Sequence, residues 1–368
     1  MTRSHALRLI DAGTQSRPGG DPAAAFAQSG ALATGGHPGA AGIATAVRRQ
    51  HMRGASVQSQ LVSHALRFTA RPTLSLWSYT TRLPWPVGVL DAAATALPAV
   101  DGTQHQPVRL QNCDAEWIQG PGATTGHVVL YLHGGAFLCC GLRSHRRMVS
   151  RISAVSRSSV LAVAYRMLPH NTISDAIADG VDAYRWLLDN GYGAEDIVVA
   201  GDSAGGYLSF EVPLAIADAG LPGPAGIVAL SPLTEMDPAR KLAHRNSRHC
   251  AMFPRRAVPA LTRLSDRLDE RAMTTRGQAP RVCPVDADLR ALPPTLIQVG
   301  SHEMLYADAA LMADRLAAAG VPCELQVWDH QPHVFQVFAD LIPEGHDAIA
   351  EIGRFIRSAR GALLTAVD

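Results

Sequence analysis

The chain has 368 residues, 47% hydrophobic and 18% charged, which supplies enough apolar material for one large globular domain. With 33 basic against 32 acidic residues the formal charge is +1, so the clustered basic excess that a phosphate backbone needs is missing and no nucleic-acid partner is expected. Cys113, Cys139, Cys140, Cys250, Cys283 and Cys323 form no C-x-x-C pair and no Cys/His spacing suited to zinc, so free, mostly buried thiols are expected.

In chain order, residues 11–46 are rich in Gly, Ala, Ser and Pro and carry only Asp11, Arg17 and Asp21 as charges. Lacking either hydrophobic period, the segment 1–46 is expected to be disordered. The longest uncharged stretch, Pro22–Val47, has only Phe26, Leu32, Ile43 and Val47 as large apolar residues. It reads as neither a membrane span nor a signal peptide, so the reducing cytoplasm is the expected compartment. From Val47 to Leu97 apolar residues such as Leu61, Ala65 and Phe68 return at helical spacing, broken by Arg71-Pro72 and Leu83-Pro84-Trp85-Pro86. Short helices joined by turns are expected there.

Beyond Asp101-Gly102 the pattern changes to short apolar runs. Pro107–Ile118 reads as an exposed strand or hairpin, and His127–Leu132, Ser159–Tyr165, Asp196–Ala200, Ala225–Leu230, Pro294–Val299 and Cys323–Trp328 fit strands buried on both faces. Helical patterns lie near 144–157, 174–190, 204–219 and 304–319. This alternation predicts an α/β fold with a mostly parallel central sheet flanked by helices. The interval Thr234–Leu292 is too long for a plain crossover and is expected to carry an insertion containing a helix around Ala257–Leu268. Lys241 is the single lysine, which reads as compositional bias without functional weight.

Two glycine-rich blocks end predicted strands. Gly201-Asp202-Ser203-Ala204-Gly205-Gly206 places Gly-x-Ser-x-Gly between a strand and a helix, where a serine on a sharp, strained turn stands exposed at the carboxyl edge of the sheet. His133-Gly134-Gly135-Ala136-Phe137 follows the strand ending at Leu132. Consecutive glycines let backbone N–H groups face a cavity, so Gly134 and Gly135, with Ala204, are candidate oxyanion donors. A serine nucleophile needs a carboxylate and then a histidine later in the chain. Glu303, in the loop after Pro294–Val299, is favoured as the acid over Asp308, which falls in the next helix. The base is either His330 or His333, both following the last strand.

These blocks resemble the hormone-sensitive-lipase-like (bacterial family IV) serine esterases of the α/β-hydrolase fold over roughly residues 100–360. Ala164-Tyr165-Arg166-Met167-Leu168-Pro169 and Leu230-Ser231-Pro232-Leu233-Thr234 are similar to further family blocks, although His170 stands where the family usually has Glu. The resemblance implies Ser203 as nucleophile, Glu303 as acid and His333 rather than His330 as base. It also implies a helical cap formed by residues 47–100 with part of 235–290, on a catalytic domain of 101–368, with Phe68, Leu74, Trp77 and Trp85 lining or supporting the cap. No metal or organic cofactor is implied, and a homodimer is compatible with the family. The expected activity is hydrolysis of carboxylic esters through an acyl-enzyme. The rivals are an amide or formamide hydrolase on the same triad and a non-catalytic small-molecule receptor, against which the intact set of Ser203, Glu303 and His333 argues. Arg67, Arg71, Arg82, Arg255, Arg256 and Arg263 interrupt the apolar residues of the expected cap, so a wet surface and a preference for short acyl chains follow.

Overall fold

A computed structural model of the chain describes residues 47–96 and 99–361, so the segment 1–46 expected to be disordered lies outside the described residues. Elements follow in chain order as β1 (Arg48–Met52), α1 (Val57–Phe68), α2 (Ala70–Tyr79), α3 (Val89–Ala93), β2 (Gln104–Arg109), β3 (Asp114–Gln119), β4 (Thr124–Leu132) and α4 (Leu142–Ser156). The alternating part continues with β5 (Ser158–Ala164), α5 (Ile173–Asp189), β6 (Ile197–Asp202), α6 (Ala204–Asp218) and β7 (Gly226–Leu230). The remainder comprises α7 (Ala239–Ala243), α8 (Asn246–His249), α9 (Ala257–Arg276), β8 (Thr295–Gly300), α10 (Tyr306–Ala318), β9 (Cys323–Trp328) and α11 (Pro343–Gly361).

The strands form one sheet in the order β1-β9-β8-β7-β6-β4-β5-β3-β2. Only β2–β3 and β3–β5 pair antiparallel, and every other pair is parallel. Strand alternation then sorts the core. Val129, Tyr131, Val198, Ala200 and Val228 pack with Met148, Ile152, Ile352 and Ile356, so α4 and α11 cover one face. Val128, Leu130 and Val199 pack with Ala176, Tyr184, Leu208 and Val212 of α5 and α6, while Ile227, Ile297 and Leu325 pack with Met312 and Leu316 of α10. Val199 is in register with Ile227, which places α5, α6 and α10 together on the opposite face. Each of these fully buried aliphatic side chains contributes about 1.5–3 kcal/mol, and burial on both faces explains the continuous apolar runs in the sequence.

Three departures from the sequence reading have local reasons. Residues 48–52 form an edge strand, not the start of a helical segment: Arg48–Met52 has no apolar alternation and is ordered by parallel pairing with Glu324–Trp328. Helix α11, which the sequence reading passed over, does carry an apolar period in Ile349, Ile352 and Ile356, all buried. In the N-terminal helices, Trp77 is buried, Leu74 and Trp85 are half-buried, and Phe68 is exposed.

The insertion between β7 and β8 is tied down by the chain's single lysine. Lys241 is fully buried and donates from Nζ to the carbonyls of Glu235 (2.6 Å) and Asp237 (3.0 Å), with Asp308 Oδ1 of α10 at 3.2 Å. Asp308 also accepts the Thr234 and Glu235 N–H groups. Removing one member of a buried ion pair leaves its partner without compensation, so Lys241→Met is expected to cost about 3–5 kcal/mol in chemical denaturation. A loss below about 1 kcal/mol would show that water replaces the ammonium there.

Candidate active site

The carboxyl edge of the parallel strands gathers the chemistry. Ser203 sits between β6 and α6 with φ +53°, a conformation that costs an L-residue energy and lifts its side chain out of the strand-to-helix turn. The turn is tight enough to require its glycines. A Cβ on Gly201 would lie 2.3 Å from the Gly205 carbonyl oxygen, and one on Gly205 would lie 1.9 Å from the Leu132 carbonyl oxygen. Although Ser203 is the N-cap of α6, its hydroxyl makes no capping bond and instead lies 2.9 Å from His333 Nε2.

His333 comes from the loop after β9, and its Nδ1 is hydrogen-bonded to Glu303 Oε2 from the loop after β8. Both are buried. Glu303 Oε1 accepts from Ser231 Oγ (2.6 Å) and from the Gly300 N–H (2.8 Å). Ser231 Oγ in turn accepts the Val334 N–H at 3.1 Å, so one hydroxyl steadies both the carboxylate and the histidine loop. Asn246 of α8 donates from Nδ2 to the carbonyls of Ser301 (2.8 Å) and Glu303 (3.0 Å), and the Phe253 ring meets His333 edge-on at 4.7 Å between centroids. The sequence reading assigned none of these three residues. Ser231 had a signal, since it directly follows a strand at the same edge, whereas Asn246 and Phe253 lie in the insertion, where no motif reaches.

The alternatives left open by spacing are separated in space. His330 is exposed, stacks on His302 at 4.0 Å and does not approach Ser203. Asp308 is occupied by Lys241 and the backbone of Thr234 and Glu235.

The glycine block after β4 requires one correction. The Gly134 N–H donates to Asp202 Oδ1 at 3.0 Å, and a Cβ at 134 would lie 2.1 Å from Asp202 Oδ2. An N–H committed to a buried carboxylate is not free to hold a developing oxyanion, so Gly134 is a glycine because Asp202 approaches it. Gly135 has φ +114°, and a Cβ there would fall 1.9 Å from the Cys139 carbonyl oxygen. Its carbonyl accepts the N–H groups of Leu138 (2.9 Å) and Cys139 (3.0 Å) and the Cys139 thiol (3.4 Å), fixing the peptide whose other end is the Ala136 N–H. Among the described residues the N–H groups of Gly135, Ala136 and Ala204 have no acceptor.

Asp202 joins this loop to the elbow. It also accepts from Tyr131 Oη (2.8 Å) and faces His145 Nε2 (3.3 Å). Burial pulls His145 down, but the Asp202 carboxylate more than reverses this and raises it to about 9. Asp202, although burial favours its neutral form, is held below the ordinary carboxylate value by His145. Burial and the His145 charge push His133 down to about 4, so it is neutral at pH 7, with Nδ1 2.7 Å from the Gly134 carbonyl and its ring stacked on Tyr165 at 4.4 Å. A histidine whose folded value is raised from 6.5 to about 9 contributes stability that is complete below pH 6.5 and lost as pH rises through about 9. Thermal unfolding is therefore expected to show a fall in stability over that window that is shallower in His145→Gln. Identical slopes would mean that the pair does not carry the charge.

Comparisons with known proteins agree with this architecture. Residues 129–337 match an α/β-hydrolase-fold family, Abhydrolase_3. The chain is 43% identical to Esterase LipU of Mycobacterium tuberculosis over 79% of its own length and 99% of that protein. It is 41% identical to Carboxylesterase/phospholipase LipF of the same organism, over 83% of each. Among solved structures, an esterase from the bacterial hormone-sensitive lipase (HSL) family superposes with a TM-score of 0.72 at 34% identity, covering 84% of this chain and all of that one.

Proposed function

We propose that Ser203, His333 and Glu303 carry the reaction of this chain, which belongs to the hormone-sensitive-lipase-like serine esterases of the α/β-hydrolase fold and is a carboxylic ester hydrolase. The observation supporting these roles is the continuous relay from Ser203 Oγ through both nitrogens of His333 to a buried, twice-anchored Glu303. His333 Nε2 takes the Ser203 proton as Oγ attacks the ester carbonyl, and Glu303 holds the Nδ1 proton and stabilises the imidazolium. The N–H groups of Gly135, Ala136 and Ala204 receive the oxyanion. The tetrahedral intermediate collapses as His333 returns the proton to the leaving alcohol. Water, deprotonated by the same histidine, then releases the acid from Ser203.

Helices α1, α2 and α9 form the cap in this reading. Contact between α2 and α9, and the reach of Asn246 and Phe253 onto the acid and base loops, support it. No helix among the described residues is long and apolar enough to cross a membrane.

An enclosed acyl pocket gains up to about 0.8 kcal/mol of binding for each methylene it accepts and loses activity once it is full. With p-nitrophenyl esters of increasing length, kcat/KM is expected to peak at about two to six acyl carbons. A rate that climbs steadily into long-chain triglyceride emulsions would contradict the short-chain assignment.

A further inference from the structure

Helix α1 packs Val62 against the core around Trp328 and Phe335, yet it carries a second apolar face that points away from the protein. At about 100° per residue, Val57, Leu61 and Phe68 fall within about 40° of one another, and all three point to solvent with exposures of 69%, 64% and 75%. The opposite side of the helix turns Ser59 inward, fully buried, where its hydroxyl bonds the Ser56 carbonyl and Gln331. The next elements continue the pattern with Leu76, Tyr79 and Leu83 exposed by 57%, 68% and 61%. Of the twelve exposed large apolar side chains among the described residues, eight lie between Val57 and Leu90. The apolar residues that suggested an inward helical face in the sequence therefore form an outward one.

The charge on this segment is as lopsided as its hydrophobicity. The chain is balanced overall, yet from Val57 to Leu90 it has Arg67, Arg71 and Arg82 and no Asp or Glu, whereas Arg48 and Arg49 of β1 are paired with Glu324 and Asp314. Arg82 is exposed beside Leu83, and the Arg256 guanidinium lies 4.0 Å from the Tyr79 ring centre, setting a cation on the apolar patch itself. An apolar face of this size is rare on a protein surface without a partner, and the partner that complements both features presents hydrocarbon beneath negative charge.

We propose that the outer face of α1 and α2 docks this protein on anionic phospholipid surfaces. The helices lie in the headgroup plane with Leu61, Phe68 and Leu76 entering the acyl boundary while the arginines meet lipid phosphates. Docking is peripheral and needs no turn of the catalytic cycle.

The test is cosedimentation of the full chain with phosphatidylglycerol-containing vesicles and with pure phosphatidylcholine vesicles. Binding is expected to the anionic vesicles only and to weaken at about 1 M salt, where the Debye length falls to about 3 Å. Leu61→Ser/Phe68→Ser and Arg82→Gln/Arg256→Gln should each reduce it at least about tenfold while leaving turnover of soluble p-nitrophenyl acetate unchanged, which shows that they fold. Ser203→Ala should bind as the wild type does, so the outcome is independent of the hydrolase assignment. Absence of binding to anionic vesicles, or binding indifferent to both double variants, would overturn the proposal. So would a solution dimer that Leu61→Ser/Phe68→Ser dissociates in a protein that ignores vesicles, since a second copy then covers the face.

Discussion

Ser203→Ala is expected to lower kcat for a p-nitrophenyl ester by about 10⁴–10⁶-fold with little change in thermal stability. The size of the loss follows from the geometry: the hydroxyl 2.9 Å from His333 Nε2 is the atom proposed to form the covalent bond, and among the described residues no other serine stands on a strand-to-helix elbow with φ +53°. Stability is spared because the hydroxyl caps nothing in α6, and alanine suffers the same backbone strain as serine. Residual turnover at the wild-type level in a folded variant would remove Ser203 from the mechanism.

The histidines should differ just as widely. His333→Ala is expected to cost about 10⁴–10⁶-fold in kcat and His330→Ala less than about tenfold, since only the former contacts both nucleophile and acid. Glu303→Gln should fall between them, near about 10³–10⁴-fold, because the amide leaves the imidazole in place but cannot stabilise its charged form. These losses are not additive. His333→Ala combined with Glu303→Gln should be no slower than His333→Ala alone, because a carboxylate without its histidine has nothing to orient. Equal losses for His330→Ala and His333→Ala would leave the base unassigned.

What the sequence made legible is what local chemistry dictates. The elbow from Gly201 to Gly206 could be read because its glycines answer to a contact four residues away, between Gly201 and Gly205, or to the ends of neighbouring strands, as the 1.9 Å approach of a Gly205 Cβ to the Leu132 carbonyl oxygen shows. The parallel sheet could be read because strands covered on both faces must be apolar throughout. Choosing Glu303 over Asp308 needed only its place in a loop rather than a helix, whereas choosing between His330 and His333 needed the family resemblance, because spacing after β9 allows either.

Three of the misreadings share one cause, a partner distant in sequence. Gly134 looked like its neighbour Gly135 until Asp202, 68 positions away, claimed its N–H. Residues 48–52 are a strand only because Glu324–Trp328 lies beside them. Lys241 carries no signal in composition, yet it joins the insertion to α10 through Asp308. Phe68 obeys the helical period, but the period alone does not say which side of α1 faces the protein.

The central claim is that one serine carries the acyl group. A fluorophosphonate probe followed by peptide mass mapping tests it most directly, because the reagent stops at the covalent step and reports its address. A single adduct is expected, on Ser203, absent from Ser203→Ala and strongly slowed in His333→Ala. An adduct that persists in Ser203→Ala, or that maps to a different residue in the wild type, would contradict it.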